Sequence, residues 1–284
     1  MAKILDGRLV SAKIKREITN QVSKLVLKPG LAVVLAGDNQ ASKVYVNFKE
    51  KACQEVGFYS EKIVLKEDIS QEELFKVLDG LNNNIKIHGI LVQLPLPEKL
   101  NHLEQKVLNF INPKKDVDGF HPLNSGKLLN SKGEIAKNLL VPATPKGIIR
   151  LLAEYKINLA GKNVVVVGRS NLVGKPVALL CLSKNATVTI CHSKTENLKE
   201  FTKKADILIA AIGKANFIKT EHVKKGVVVI DVGINRIDDK LAGDVDFKKV
   251  EKIARYITPV PGGIGPMTIA CLLENTLIAY YNQV

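Results

Sequence analysis

Tyr45 and Lys49, four residues apart in "SKVYVNFKEKACQEV", share one face of the helix that this pattern predicts. A lysine beside a ring is most often a solvated charge over a packed side chain, yet partial burial would equip it to accept and return a proton. Gln93 ends the apolar run "ILVQ" before "LPLP", where a parallel sheet presents its ligand-binding edge. Asp116 and Asp118, in "KKDVDGF", could form a metal loop. Adjacent Lys114 and Lys115, and the lack of a third carboxylate, fit a hydrogen-bonding anchor better.

A second chemistry sits in "VVVVGRSNLVGKPVALLCL". Four valines predict a strand buried on both faces, Gly168 ends it, and a helix follows from Gly174. A strand, a tight turn and a helix N-terminus make an anion site. The dinucleotide fingerprint G-x-G-x-x-G is nevertheless broken, because Ser170 stands at the second glycine and Val173 at the third. The next strand, "ATVTIC", ends in His192-Ser193-Lys194 with no carboxylate to receive a ribose 2′-hydroxyl. Arg169, with Ser193 and Lys194, instead offers donors to a 2′-phosphate, which points to NADP over NAD. Small residues at Gly213 and Gly233, after "DILIAAI" and "VVVID", extend the same strand-end surface.

The elements that must position these groups alternate. An amphipathic helix over 8–27 is followed by strand "LAVVLA", a helix over 42–56 stopped by Gly57, and strand "KIVL". A helix opened by a Ser70-x-x-Glu73 capping box then leads to strand "IHGILVQ". After a loop-rich segment, Thr144-Pro145 begins a new helix, and four strands follow: "NVVVVG", "ATVTIC", "DILIAAI" and "VVVIDVG". A rigid loop, "TPVPGGIGPMT", precedes a last helix from Pro266. The expectation is an α/β protein of two domains: an N-terminal α/β catalytic domain over 1–140, completed by helix 266–284, and a Rossmann-like parallel-sheet domain over 141–265.

The 284 residues suffice for two cores, and 46% hydrophobic with 25% charged residues describes an ordinary soluble chain. The opening "MAKILDGRLVSAKIKREI" lacks an apolar signal segment and no run is long enough to span a membrane, so the expected location is cytoplasmic. Cys53, Cys181, Cys191 and Cys271 are scattered without metal-ligand spacing, as core thiols would be, and no metal is expected. The net charge of +14 invites a nucleic-acid reading, but the lysines are dispersed without interleaved aromatic residues. Such an excess suits small polyanions, NADP and a polyglutamylated ligand among them.

In order along nearly the whole chain, "YVNFKEKACQEVG", "GILVQLPLP", "PKKDVDGFHPLNSGKL", "TPKGI", "VVVVGRSNLVGKP", "ATVTICHSKT", "DVGIN" and "TPVPGGIGPMT" resemble the motifs of the bifunctional methylenetetrahydrofolate dehydrogenase/methenyltetrahydrofolate cyclohydrolase family. The resemblance implies NADP-dependent oxidation of 5,10-methylenetetrahydrofolate, then hydrolysis to 10-formyltetrahydrofolate, in a homodimer. It makes Lys49 the catalytic lysine, with Gln93 beside it, Tyr45 against the folate rings, and Ser42 nearby. Asp118 anchors the pterin, and Pro261, Gly262 and Gly263 shape the folate wall. On the cofactor side it implies contacts from Gly168, Arg169, Ser170 and Ser193, with Thr144 and Ile234 near the nicotinamide. Ala143 departs from the family, which often carries Cys there. His192 is a tempting acid/base whose strand-end place suits a structural or phosphate-side role, and His88 reads as a packed strand residue. Three alternatives stay open: a shikimate-type NADP dehydrogenase of another small substrate, a basic nucleic-acid-binding protein, and a catalytically lapsed folate carrier.

Overall fold

The computed structural model describes residues 1–131, 133–238 and 240–284, the side chain of Ala41 excepted. In chain order the first elements are β1 (Lys3–Ile4), α1 (Gly7–Val22), β2 (Gly30–Ala36), α2 (Gln40–Val56), β3 (Tyr59–Leu65), α3 (Gln71–Asn83) and β4 (Gly89–Val92). Helices α4 (Glu104–Phe110), α5 (Pro122–Leu129) and α6 (Ala143–Glu154) lead to β5 (Asn163–Val167), α7 (Gly174–Ser183) and β6 (Thr187–Cys191). The rest comprises α8 (Leu198–Thr202), β7 (Ile207–Ala210), β8 (Val228–Asp231), β9 (Asn235–Ile237), β10 (Lys240–Ala242), α9 (Phe247–Val250), β11 (Tyr256–Ile257) and α10 (Ile264–Tyr281).

Two compact units share this chain. One comprises Lys13–Lys127, Lys137–Ala143 and Ile269–Val284 and carries a three-stranded parallel sheet, β3-β2-β4. Every residue of β2 is buried, and Leu74, Leu78 and Leu81 turn one face of α3 into its core. The capping box forms as expected: Ser70 Oγ accepts from the Glu73 amide at 3.1 Å, and the Ser70 amide donates to Glu73 Oε2 at 3.0 Å. Helix α2 is capped by Asn39 and stopped by Gly57, whose φ of +79° is the left-handed conformation that glycine adopts freely.

The other unit comprises Met1–Ala12, Leu128–Ala136 and Thr144–Thr268, around a six-stranded parallel sheet ordered β1-β11-β8-β7-β5-β6. Val164–Val167 are buried, each contributing about 1.5–3 kcal/mol of transfer free energy. Strands β9 and β10 form a separate antiparallel pair.

Several boundaries differ from expectation. Helix α1 ends at Val22, short of the expected 27, and the Lys28 ammonium takes up the carbonyls of Val22 at 2.9 Å and Leu25 at 2.7 Å. Helix α10 starts at Ile264, which leaves Pro266 in its first turn, where a missing N–H is harmless. The N-terminus lies in the six-stranded unit and not in the expected 1–140 domain: Lys3 and Leu5 amides donate to the carbonyls of Arg255 and Ile257 at 2.9 Å each. All four cysteines are buried, and burial pushes the Cys53 and Cys181 thiols up to about 12.

Candidate active site

In the three-stranded unit, α2 carries Tyr45 and Lys49 on one face, and β4 delivers Gln93 one residue past its end. Backbone pairing fixes that position, the Gln93 amide donating to the Val34 carbonyl at 2.8 Å. Lys49 Nζ donates to Gln93 Oε1 at 2.7 Å, while Gln93 Nε2 donates to the Leu94 carbonyl at 2.8 Å. The amide is thereby oriented with its oxygen toward the lysine. Burial lowers the Lys49 pKa and the negative charge of Asp118 partly opposes this. Burial also pushes the Asp118 carboxyl up to about 6, against the pull of Lys49. Tyr45 is half-buried, and burial raises its hydroxyl. Ser42 is buried, its amide donating to the capping Asn39 Oδ1 at 3.0 Å.

The loop that presents Asp118 alternates scaffold and site. Buried Lys115 donates to the carbonyls of Leu81 at 3.1 Å and Asn84 at 2.8 Å, closing the C-terminal end of α3. Asp116 accepts from the amides of Phe120 at 3.1 Å and His121 at 2.9 Å and from Asn124 Nδ2 at 2.8 Å. It is a turn clamp, so the two aspartates have separate tasks. Val117 is buried, with its carbonyl held by Asn275 Nδ2 at 2.8 Å, and Gly119 turns the chain at φ +73°. His88 is buried, accepts the Gly30 amide at Nδ1 at 3.0 Å, and meets the Tyr280 ring edge-on.

In the six-stranded unit, Gly168 follows β5 at φ +134°, and a Cβ there would overlap the Ala211 carbonyl oxygen. A Cβ on Gly174 would likewise overlap the Gly168 carbonyl. Gly174, one position past Val173, thus makes the close helix–strand approach that the third fingerprint glycine ordinarily makes. The G-x-G-x-x-G template missed it because this turn is one residue longer. Ser170 Oγ accepts from the amides of Val173 at 3.1 Å and Gly174 at 3.3 Å, which fixes the turn at the entry to α7. Arg169, Ser170 and Ser193 are exposed, with Ser193 two residues past the end of β6. This cradle without an acidic strand end suits a phosphate-rich dinucleotide. His192 Nδ1 accepts from the Lys194 amide at 3.2 Å, a local structural bond.

Thr144 Oγ1 lies 2.9 Å from Thr268 Oγ1. Ile234, 45% exposed, follows β8 between Gly233 and Asn235. Pro261, Gly262 and Gly263 also belong to this unit, where the Gly7 amide donates to the Gly262 carbonyl at 2.9 Å. Ala143 is 3% exposed, its methyl group filling a buried position. Among the described residues, no group of three or more His, Cys, Asp or Glu is arranged to hold a metal, and no helix is long and apolar enough to cross a membrane.

Residues 5–118 match the family model described as tetrahydrofolate dehydrogenase/cyclohydrolase, catalytic domain, and residues 142–284 match its NAD(P)-binding domain. A Halalkalibacterium halodurans relative named bifunctional protein FolD is 54% identical over 98% of each chain. The crystal structure of a Campylobacter jejuni bifunctional FolD methylenetetrahydrofolate dehydrogenase/cyclohydrolase superposes with a TM-score of 0.93 at 46% identity, covering 100% of both chains. A Trypanosoma brucei dehydrogenase-cyclohydrolase complexed with NADP and inhibitor has a TM-score of 0.93 at 36% identity, covering 99% of this chain and 98% of the other. By its sequence over both halves and by its fold, this chain belongs to the tetrahydrofolate dehydrogenase/cyclohydrolase family.

Proposed function

We propose that the chain is a bifunctional one-carbon folate enzyme, which oxidises 5,10-methylenetetrahydrofolate to 5,10-methenyltetrahydrofolate with NADP and then hydrolyses it to 10-formyltetrahydrofolate. The observation that carries the site assignment is the 2.7 Å Lys49–Gln93 hydrogen bond beside the Asp118 charge. NADP, when bound, would supply the acceptor for the hydride lost from the methylene carbon. Its departure leaves a cation shared by two nitrogens, so the protein's task in that step is alignment. Asp118 fixes the pterin by accepting hydrogen bonds from its amino group and ring nitrogen, and Tyr45 packs on the rings.

Hydrolysis requires proton transfer. Neutral Lys49 accepts a proton as water adds to the bridge carbon, and returns it to the nitrogen released when the carbon–nitrogen bond breaks, while the remaining hydroxyl proton leaves to solvent as the formyl carbonyl forms. Gln93 holds the amine in place in either protonation state without adding a charge. Arg169 and Ser193 would hold the NADP 2′-phosphate, with Gly168 and Ser170 shaping the turn, and Thr144 and Ile234 would contact the nicotinamide. The reading includes a homodimer in the cytoplasm, and a net charge of +14 that favours polyglutamylated substrates.

Purified protein given 5,10-methylenetetrahydrofolate and NADP should produce NADPH and accumulate 10-formyltetrahydrofolate. No turnover with NADP or NAD would remove the proposal. A pH series tests Asp118 separately. Its pKa is raised from 3.8 to about 6, so the ionised anchor is lost as pH falls through about 6 and not near 4. The folate KM should rise about tenfold from pH 7 to pH 5, and Asp118→Asn should have a high KM that no longer varies over that range. A wild-type KM that is flat to pH 5 would exclude the carboxylate anchor.

A further inference from the structure

Two buried carboxylates of the six-stranded unit take no part in the roles above. Asp244 is 0% exposed and its donors are amides. Its Oδ2 accepts from the backbone N–H of Ile212 at 2.6 Å and of Gly213 at 3.0 Å, and its Oδ1 from that of Lys214 at 2.8 Å. Asn235 Nδ2 adds a fourth bond at 3.0 Å. Asp231, the last residue of β8, holds Asp244 in turn: its Oδ1 accepts from the amides of Asp244 at 2.8 Å and Gly233 at 3.2 Å, and its Oδ2 from Val245 at 3.0 Å. The packing is reciprocal, since a Cβ on Gly233 would overlap the Asp244 carboxylate and one on Gly243 would overlap that of Asp231.

The segments so held are the turns that follow β7 and β8, adjacent strands of the parallel sheet. The turn after β7 abuts the dinucleotide cradle: Ala211 supplies the carbonyl that excludes a side chain at Gly168, and its amide donates to the Val167 carbonyl at 2.8 Å. Gly213, at φ +73°, would leave that turn free to take other conformations if its amides were released. The turn after β8 carries Ile234 between two residues bonded to this carboxylate pair, Gly233 and Asn235. An apolar filling could stabilise a core as well as a buried carboxylate does, but it could not orient three successive amides.

We propose that Asp244 is a positioning residue for the NADP site. It acts through backbone amides to set the turns over 211–214 and 233–235 in the cofactor-binding shape before NADP arrives, and Asp231 holds it in place. The inference rests on the reading that NADP lies at these strand ends. Asp244→Asn preserves shape but puts one NH2 where an oxygen accepted from backbone donors. With the turns in the competent shape only about a tenth of the time, titration calorimetry should read an NADP Kd about tenfold weaker. Without cofactor, hydrogen exchange at Ile212, Gly213 and Lys214 should be faster by a similar factor. Hydrolysis of 5,10-methenyltetrahydrofolate, which needs no NADP, should stay within about twofold, whereas a general structural brace would lower it together with cofactor binding.

An unchanged NADP Kd would overturn the proposal, as would parallel loss of NADP binding and hydrolysis. If the Asn variant does not fold, Asn235→Ala removes one of the four donors and leaves the carboxylate. It should weaken NADP binding about threefold with hydrolysis retained, and an unaltered Kd there would overturn the proposal equally. Failure of the unaltered protein to bind NADP would show, before any variant is made, that the underlying cofactor reading is at fault.

Discussion

Lys49→Ala should lower the rate of 5,10-methenyltetrahydrofolate hydrolysis by about three orders of magnitude, the scale of a lost general base, while folate binding persists. The amine is the donor in the 2.7 Å bond to Gln93, and burial lowers its pKa, so the neutral form is available nearer neutrality than in a solvated lysine. Binding should persist because the proposed pterin contacts belong to Asp118 and the proposed ring contacts to Tyr45. Lys49→Arg separates charge from proton transfer: a guanidinium keeps the positive charge and does not give up its proton. It should be as inactive in hydrolysis as the alanine variant. Single-turnover hydrolysis with separate measurement of folate binding makes the comparison. Activity within tenfold of the unaltered protein in either variant would take Lys49 out of the proton-transfer role.

Arg169→Ala should raise the KM for NADP by about ten- to a hundredfold, the range of a lost charge-assisted phosphate contact, and leave that for NAD within about twofold. The contrast depends on where Arg169 sits, directly after Gly168 in an exposed turn. Because Arg169 is exposed, raising the salt concentration should weaken the proposed phosphate contact, shrink the NADP effect and leave the NAD values nearly unmoved. Steady-state kinetics with both cofactors at two ionic strengths tests this. An equal rise in both KM values would assign Arg169 to a part of the dinucleotide that the two share.

What could be read in the sequence was local. Ser70 and Glu73 form their capping box because both partners lie in one turn, and Gly57 stops α2 through its own backbone freedom. Lys49 and Tyr45 fall on one face because helical period alone decides it. Gln93 could be placed because an apolar run followed by prolines marks a strand end. Strands β1 and β11, by contrast, are two residues each, too short for any period, and pair across more than 250 residues of chain. That pairing moved the N-terminus out of its expected domain.

The harder failures concern residues that look alike in sequence. Asp116 and Asp118 stand two apart in one short motif, yet one clamps a turn and the other faces Lys49 electrostatically. Asp244 reads as an ordinary acid in a loop. Only the return of the chain to β7 brings the Ile212–Lys214 amides onto it. Gly174 offered a usable signal in the five residues that separate it from Gly168.

Asn275, on α10, spans two loop carbonyls with one amide group, donating at 2.8 Å to Val117 and at 2.8 Å to Val141. Val117 is synthesised 158 residues before Asn275, and its neighbour Asp118 is the proposed pterin anchor. The nascent chain can therefore pair β2, β3 and β4 long before that loop has its last support. Folate affinity should consequently arise late in biosynthesis, after the six-stranded sheet has been made. A ribosome stalled anywhere before α10 emerges would display a partly assembled protein with little grip on its substrate.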